Sequence, residues 1–334
     1  MIPAPNMCKK LLFLSSAALL LPLSAALALP INQLVVFGDS LSDTGNAYIA
    51  TGGVAGAAPA YQNGRFTDGP NTIPSTSSPT GLWIDQFASR MNVSDPSPFL
   101  SGGNNYAVTT ALTGSNPAFT GVPPEAPYTA QQVALYLGAS KVSSTALYTF
   151  WAGSNDLVGG QNPLTVASNI SANIATLAAG GAKNFLWLNL PALGEVPDAT
   201  KLGPVVSGTL NAEAAAFNEA SAKAISQLEA QYGIDIIPVD IYSLFAQVTA
   251  NPSAYGFTNI TDPAQGLVGV NPDTYLYWDG EHPTTAADAL VADLAYSDVQ
   301  AAFAPEPAAL GLIATGILLL ILTGIARTLR KRPF

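Results

Sequence analysis

The only histidine of this 334-residue sequence is His282, and the only cysteine, Cys8, lies close to the N-terminus. His282 stands in the stretch DGEHPT, where Asp279 precedes it by three residues. On a tight turn, an aspartate at this spacing can accept a hydrogen bond from the imidazole Nδ1, fix the tautomer and stabilise an imidazolium. Glu281 could compete for this orienting role. His282, oriented by Asp279, could therefore act as the general base that activates a nucleophile. The alternative is that His282 has only a structural role.

The candidate nucleophile is Ser40, in the stretch VVFGDSLSDTGNA. An apolar, β-branched run ends at Phe37 and turns into small polar residues, which places the Ser40 hydroxyl at the carboxyl end of a buried strand. Ligands bind at that edge of open α/β sheets, and N–H groups there can stabilise an oxyanion. Two alternatives remain: an ordinary strand-to-helix turn capped by Asp39 or Ser40, and Ser42 as the nucleophile.

The stretch TFWAGSNDL, at positions 149–157, predicts a second strand that runs into polar residues. Asn155 at this strand end can offer its side-chain N–H₂ to the same oxyanion. The alternative is that Asn155 caps a helix or forms an Asx turn.

Short apolar runs alternate with longer alanine-rich segments of helical period, which is typical of a βαβ chain. The runs predict strands at 31–37, 145–153, 184–190 and 234–240, and helices at 82–91, 130–137, 164–179, 210–232 and 284–303. Strands that are apolar on both faces indicate a parallel sheet covered by helices on both sides. The stretches 51–80 and 92–128 are rich in Gly, Pro, Ser and Asn and are predicted to be long loops.

Four ordered blocks make the sequence resemble the GDSL, or SGNH, family of serine esterases and lipases. They are FGDSLSDTGN, NNYAVTTA at 104–111, AGSNDL at 152–157 and DGEHPT at 279–284, and NGRFTDGPN with LWIDQFA is similar to the plant-type and secreted bacterial branch. The resemblance covers nearly all of 29–304. It implies an α/β fold, a flavodoxin-like three-layer α/β/α with a central parallel sheet.

The resemblance also implies roles for five residues. Ser40 would be the nucleophile, His282 the general base and Asp279 the carboxylate that orients it, while the oxyanion hole would use the backbone N–H of Ser40, the side chain of Asn155 and the backbone N–H of Thr110. Such a site hydrolyses carboxylic esters through an acyl-enzyme and needs no metal or other cofactor.

Thr110 is where the sequence departs from the family pattern, which usually has glycine five residues after the asparagine of the second block. A β-branched residue would crowd the approach or resist a positive φ. This departure keeps a second hypothesis open, a non-catalytic surface or matrix-binding module that retains the fold.

The N-terminus predicts a secretory signal peptide over 1–28. From Met7 it reads MCKKLLFLSSAALLLPLSAALA, with two lysines, an apolar run and an A-x-A site that ends at Ala28. A retained membrane anchor is the alternative, which Pro22 in the apolar run disfavours. The following residues, 29–304, are predicted to form one hydrolase domain.

The C-terminal segment, 305–334, contains PEP at its start, an apolar stretch at 308–326 and a cluster of Arg and Lys. The stretch is long enough for one transmembrane helix, and the basic residues would hold the tail in the cytoplasm. The segment is similar to the PEP-CTERM sorting signal of Gram-negative bacteria, which implies processing by exosortase; a simple membrane anchor is the alternative. Either reading predicts a secreted or cell-surface domain, at least transiently anchored by this helix.

Charge limits the partners of the domain. Six of the twelve basic residues and all but one of the acidic residues fall in 29–304, so this part carries a formal net charge of about −15. That charge argues against binding to nucleic acid or to an anionic membrane surface. The expected partner is an ester substrate, either an acylated polysaccharide or a lipid, with membrane contact only through the C-terminal segment.

Overall fold

Four parallel strands form the central sheet of the computed structural model, which describes residues 31–62, 64–68, 81–115 and 126–304, together with 316, 320 and 321. They lie side by side in chain order as β1 (Gln33–Gly38), β2 (Ala146–Trp151), β3 (Asn184–Leu188) and β4 (Asp235–Val239). Two shorter strands, β5 (Asn259–Pro263) and β6 (Tyr275–Tyr277), pair separately in parallel.

The helices of the described residues lie between and after these strands. They are α1 (Asn46–Ala50), α2 (Trp83–Met91), α3 (Thr129–Ala139), α4 (Ser154–Val158), α5 (Pro163–Ala179), α6 (Pro197–Lys201), α7 (Pro204–Tyr232), α8 (Ile241–Ala250) and α9 (Thr285–Ala302).

The sheet is covered on both faces, as its apolar strands require. Every residue of β2 and β3 is buried, so neither face of these strands can be left to water. Helix α5 packs against α7 and α3, and α2 packs against α9. These two groups of helices form the outer layers of the predicted three-layer α/β/α fold, which is confirmed.

A stretch predicted as loop pairs with the free side of β1 and so extends the sheet by a short segment. The N–H of Val36 donates to the carbonyl of Asn104 at 3.0 Å, and Val36 in turn accepts from the N–H of Tyr106 at 2.8 Å. Strand β1 therefore lies inside the sheet, with residues 104–106 on one side and β2 on the other. After β1, the chain first pairs with one side of β1 through residues 104–106 and later returns as β2 on the other side. Such a change of side is a topological switch point, where ligands bind in open α/β folds.

One predicted helix starts earlier than expected, and α8 was missed. Helix α7 starts at Pro204 and not at residue 210, because Gly203 with φ 91° and a proline at the first helical position start it earlier. Helix α8 was not predicted; its N-cap is Asp240, whose side chain accepts from the N–H of Ser243.

The predicted signal peptide, 1–28, lies outside the described residues, and so does the predicted transmembrane stretch apart from 316, 320 and 321. Within the part of the chain that the structure describes, no helix has both the length and the apolar character needed to cross a bilayer.

Candidate active site

The chain makes a tight turn directly after β1, and Ser40 lies on it. Gly38, the last residue of β1, has no room for a side chain, because a Cβ at that position would collide with the carbonyl oxygen of Trp151 on β2. After Gly38, the carboxylate of Asp39 accepts from the N–H of Leu41 at 3.1 Å, and its carbonyl accepts from the N–H of Ser42 at 3.0 Å. The Ser40 hydroxyl is thereby held at the carboxyl edge of the sheet.

Ser40, His282 and Asp279 form one continuous chain of hydrogen bonds. The distance from Ser40 Oγ to His282 Nε2 is 2.8 Å, and the distance from His282 Nδ1 to Asp279 Oδ2 is 2.7 Å. The second oxygen of Asp279 accepts from the backbone N–H groups of His282 and Glu281 at 2.8 and 2.9 Å. The three-residue spacing therefore closes a turn in which the carboxylate is fixed at both oxygens.

The ionisation state of Asp279 determines which atom is the donor in each of these hydrogen bonds. Burial raises the pKa of Asp279, but the charge of His282 and the hydrogen bonds from His282 and Glu281 outweigh burial and lower the pKa to about 2. An ionised carboxylate only accepts, so Nδ1 of His282 carries the proton. The unprotonated Nε2 of a neutral imidazole then accepts from the hydroxyl of Ser40.

The pKa of His282 is set by two opposing effects. Burial lowers this pKa, but the charge and hydrogen bond of Asp279, with Glu281 and Asp39 nearby, outweigh burial and raise it above that of a free histidine. Only 5% of His282 and 8% of Ser40 is exposed. Ser40 and His282 are therefore shielded from bulk water. The raised pKa makes the imidazole of His282 a stronger base than that of a free histidine.

Of the other two candidate oxyanion donors, Asn155 shares a cavity with Ser40, and Thr110 lies in the turn that Asn155 contacts. Asn155 lines the same cavity as Ser40 and His282, and its side-chain N–H₂ donates to the carbonyl of Ala111 at 3.2 Å. Thr110, the residue before Ala111, has φ 61°. The chain therefore adopts at Thr110 the left-handed conformation that glycine, the usual family residue at this position, adopts easily. Asn155 therefore lies beside Ser40 and contacts the turn that contains Thr110.

The amino-acid sequence matches the family of GDSL-like lipases and acylhydrolases over residues 34–295. This chain belongs to that family. The match includes the Ser40 turn, the second block with Thr110, Asn155 and the Asp279–His282 pair.

Two curated relatives and one solved structure illustrate the similarity. The thermolabile hemolysin of Vibrio parahaemolyticus is 27% identical over 289 residues, which cover 79% of this chain and 62% of the hemolysin. Esterase EstA of Pseudomonas aeruginosa is 29% identical over 318 residues, which cover 80% of this chain and 47% of EstA. A lipolytic G-D-S-L protein from Veillonella parvula superposes with a TM-score of 0.44 at 14% identity, over 79% of this chain and 96% of its own. This chain therefore spans less than two thirds of the length of either of these two relatives.

In this GDSL-family site, the alternatives to Ser40 and Asp279 have other partners. Ser42 is fully buried, and its Oγ accepts from the indole N–H of Trp83 at 3.0 Å. The carboxylate that contacts His282 Nδ1 is that of Asp279, whereas Glu281 contributes its backbone N–H to Asp279. The geometry therefore favours Ser40 and Asp279 over their neighbours.

Tyr61 was not predicted from the sequence as a site residue. It lies in a loop far from Asp279 in the sequence but contacts the Asp279 carboxylate. Its hydroxyl donates to Asp279 Oδ2 at 2.9 Å, the oxygen that also accepts from His282. Burial and Asp279 raise the pKa of Tyr61, so the hydroxyl keeps its proton. The rings of Tyr61 and Phe66 both lie against the imidazole, with centroids 6.5 and 5.4 Å away.

The family motif also contains Asp43, whose role was not predicted from the sequence. One oxygen of this buried carboxylate accepts from the N–H groups of Gly45 and Asn46, and the other from those of Ala47 and Thr109. Asp43 therefore ties the Ser40 turn to the residue that precedes Thr110. No group of three or more His, Cys, Asp or Glu residues among those described is arranged to hold a metal ion.

Proposed function

We propose that this protein is a serine carboxylic ester hydrolase that forms an acyl-enzyme on Ser40. The observation that carries the proposal is the continuous chain from Ser40 Oγ through His282 to Asp279, with bonds of 2.8 and 2.7 Å, at the wall of a cavity. Family membership supports the same reaction class.

The proposed reaction has two steps. Ser40 Oγ attacks the ester carbonyl while His282 Nε2 takes its proton, and the imidazolium returns that proton to the leaving alcohol. Water then attacks the acyl-enzyme, His282 takes the proton of the water, and Ser40 is released with the carboxylic acid. Asp279 stabilises the imidazolium, and the N–H groups of Ser40, Thr110 and Asn155 would donate to the oxyanion.

The proposal predicts hydrolysis of p-nitrophenyl esters by the purified full-length protein. Ser40→Ala and His282→Ala should each lower kcat at least about a thousandfold without changing the unfolding temperature, because each removes a group that acts in the transition state. Ser42→Ala is the matched control and should keep most of the activity. A well-folded protein that hydrolyses no ester, or a Ser40→Ala variant as active as the parent, would contradict the proposal.

The conformation of Thr110 supports a second candidate function, a non-catalytic module that binds an acylated polymer or lipid at the same surface. A β-branched residue at φ 61° is strained, and its branched side chain would crowd the approach to the oxyanion site. The ester assay distinguishes the two functions directly.

We further propose, on the sequence alone, that residues 1–28 are a signal peptide, 29–304 the catalytic domain and 305–334 a PEP-CTERM-like segment handled by exosortase. The domain would then be secreted or displayed on the envelope of a Gram-negative bacterium. The mass of the mature protein and its distribution between membrane and medium test this placement. A mature protein that keeps residues 1–28 and stays in the cytoplasm would overturn it.

A further inference from the structure

The loop residues Phe66 and Thr67 lie against the turn that contains His282. The ring of Phe66 packs on the imidazole with the two centroids 5.4 Å apart. The hydroxyl of Thr67, which is fully buried, donates to the carbonyl of Pro283 at 3.1 Å. Pro283 directly follows His282, so this hydrogen bond fixes the backbone on the C-terminal side of the imidazole.

The Thr67 hydroxyl has more possible acceptors than protons. Besides the carbonyl of Pro283, Asp68 Oδ1 lies 3.2 Å away and Thr285 Oγ1 lies 3.3 Å away. A hydroxyl carries one proton and two lone pairs, so it cannot donate fully to all of these atoms. The strength of the bond to Pro283 therefore depends on the other groups that face the Thr67 oxygen.

Asp288, in the first turn of α9, also faces this hydroxyl. The residue is completely buried, and neither of its carboxyl oxygens has a hydrogen-bond partner among the described residues. The Thr67 hydroxyl and the backbone N–H of Trp83 favour the charged form of Asp288, but neither makes a regular hydrogen bond with it. A buried carboxylate without partners is unfavourable, whereas a carboxylic acid has a proton to donate.

The charges around Asp288 also favour its neutral form. Burial has the largest effect on the pKa of Asp288, and together with the carboxylates of Asp68 and Asp85 it raises this pKa well above the ordinary value. Arg65 makes two hydrogen bonds of 2.8 Å to Asp85, and no ion pair between described residues includes Asp288. The carboxyl of Asp288 therefore keeps its proton around neutral pH.

The elements packed against α9 bring few other charges. Their remaining titratable groups are Arg90 of α2, Asp235 of β4, Asp273 just before β6, and Tyr275 and Tyr277 of β6. Arg90 contacts Asp293, an exposed residue of α9, at 2.6 Å, and none of these groups is among the main influences on the pKa of Asp288. Burial and the nearby carboxylates therefore govern its ionisation.

From this arrangement we propose that Asp288 is a carboxylic acid that donates a hydrogen bond to the Thr67 hydroxyl and thereby positions the turn that contains His282. Thr67 then accepts from Asp288 and donates its own proton to the carbonyl of Pro283. An ionised Asp288 instead competes for the Thr67 proton, which weakens the bond to Pro283. This inference rests on the proposed function, because His282 is the base of that reaction. Asp288 and Thr67 are positioning residues, since they act through the backbone next to His282.

The pH dependence of kcat for a short p-nitrophenyl ester tests Asp288 in the purified full-length protein. In Asp288→Asn the amide can donate to Thr67 but cannot ionise, so kcat near neutral pH should stay within about twofold of the parent. The parent should lose kcat at alkaline pH, and Asp288→Asn should lose less. Asp288→Leu has a similar size but no donor, and it should lower kcat about ten- to a hundredfold with little change in KM. The same alkaline decline in the parent and in Asp288→Asn would overturn the proposal.

Two substitutions of Thr67 test the hydroxyl itself. Thr67→Val removes it and should lower kcat about ten- to a hundredfold, whereas Thr67→Ser keeps it and should retain most of the activity. The matched control is Thr149→Val, the same substitution at a buried hydroxyl of β2 that has no hydrogen-bond partner among the described residues. It should leave kcat unchanged. If Thr67→Val is as active as Thr149→Val, the hydroxyl does not position the base and the proposal falls.

A structural measurement keeps this inference separate from the proposed reaction. His282 is the only histidine of the chain, so protein made with isotope-labelled histidine and without a histidine tag gives one set of imidazole signals in NMR spectra. Asp288→Leu and Thr67→Val should shift the Nδ1–H signal, while Asp288→Asn and Thr149→Val should leave it at its parent position. This pattern in a protein that hydrolyses no ester supports the positioning role while the hydrolase falls. A signal at the parent position in all four variants overturns the positioning role even if the ester is hydrolysed.

Discussion

Thr110 occupies a backbone conformation that its side chain disfavours. Its φ of 61° is one of two positive values at non-glycine residues among those described, and the other belongs to Asn92, a residue type that tolerates it. Hydrogen bonds on both sides hold the turn: Thr109 N–H donates to Asp43, and Ala111 N–H to the carbonyl of Val108. The surrounding contacts, and not the residue type, impose the conformation.

We expect Thr110→Gly to stabilise the protein and to keep or raise activity. Glycine removes a strain of about 1–2 kcal/mol and loses about 0.5–1 kcal/mol through the flexibility of the unfolded chain. The free energy of unfolding in urea should therefore increase by up to about 1 kcal/mol. Thr109→Gly, at a residue without positive φ, is the control and should destabilise. A less stable Thr110→Gly protein would show that the threonine side chain contributes contacts that outweigh the strain.

Tyr61 affects the base through the carboxylate. Its hydroxyl shares Asp279 Oδ2 with His282, so removing the hydroxyl leaves more negative charge on that oxygen for the imidazole. In Tyr61→Phe we expect the pKa of His282 to rise further. Because the base must be neutral, kcat/KM should decline at a higher pH than in the parent as pH is lowered.

The pH dependence of kcat/KM for a short ester measures this shift. Asp279→Asn should move the acid limb in the opposite direction, because it removes the charge that raises the pKa of His282, and should lower kcat strongly. Tyr255→Phe, whose hydroxyl contacts Gln247 and not the site, is the control. A Tyr61→Phe profile that falls at a lower pH would mean that Tyr61 acts on His282 by another route.

At the scale of elements, one carboxylate connects the β1 turn to the Thr110 turn. Asp43 accepts four backbone N–H groups and lies fully buried. Burial raises its pKa to about 6, against these four hydrogen bonds. The geometry of the candidate oxyanion hole therefore depends on a carboxylate whose four hydrogen bonds are all to backbone N–H groups.

Asp43→Asn should disturb both turns together. An amide offers one acceptor oxygen, and its N–H₂ would face backbone N–H groups, so at least one donor loses its partner at about 1–3 kcal/mol. We expect the free energy of unfolding to fall by about that amount and kcat to fall more than tenfold, with a smaller change in KM. Asp95→Asn is the control, since Asp95 is largely exposed and reaches Arg65 only at 3.8 Å. Full activity in Asp43→Asn would show that the two turns hold their positions independently.

The elements that could be predicted are those whose signal is local. The four apolar runs gave the strands, and the polar residues at their carboxyl ends, Ser40 and Asn155, gave two components of the site. What was missed depends on distant contacts: Tyr61 reaches Asp279 across 218 residues, and residues 104–106 pair with β1 although their own sequence reads as loop. Helix α8 was missed because it follows β4 directly, with only the N-cap Asp240 between them.

For the whole molecule, several buried carboxyl groups link stability to pH. Burial is the largest effect on each and raises the pKa of Asp39 to about 7 and those of Asp43 and Asp156 to about 6, while hydrogen bonds act in the opposite direction. In the unfolded chain, these groups return to about 3.9. Between about pH 4 and 7, the folded state therefore holds protons that the unfolded state has released.

The free energy of unfolding should accordingly be largest near pH 4–5 and should fall as pH rises towards 8, because stability decreases wherever the folded state binds more protons. His282, with its raised pKa, acts in the same direction, and Asp279, with its pKa of about 2, matters only below pH 4. Each pKa unit corresponds to about 1.4 kcal/mol, so the total change is on the order of several kcal/mol. Urea unfolding at pH 4.5, 6 and 8 measures it.

Asp156→Asn separates this effect from general charge repulsion. Asp156 is buried and accepts from the backbone N–H and the hydroxyl of Thr113, and an asparagine oxygen can accept in its place without a charge to desolvate. The fall in stability between pH 4.5 and 8 should be smaller in this variant than in the parent. Asp235→Asn removes the same formal charge at an exposed position and should leave the slope unchanged. If both variants flatten the slope equally, the net negative charge of the molecule, and not the burial of particular carboxyl groups, makes it less stable at high pH.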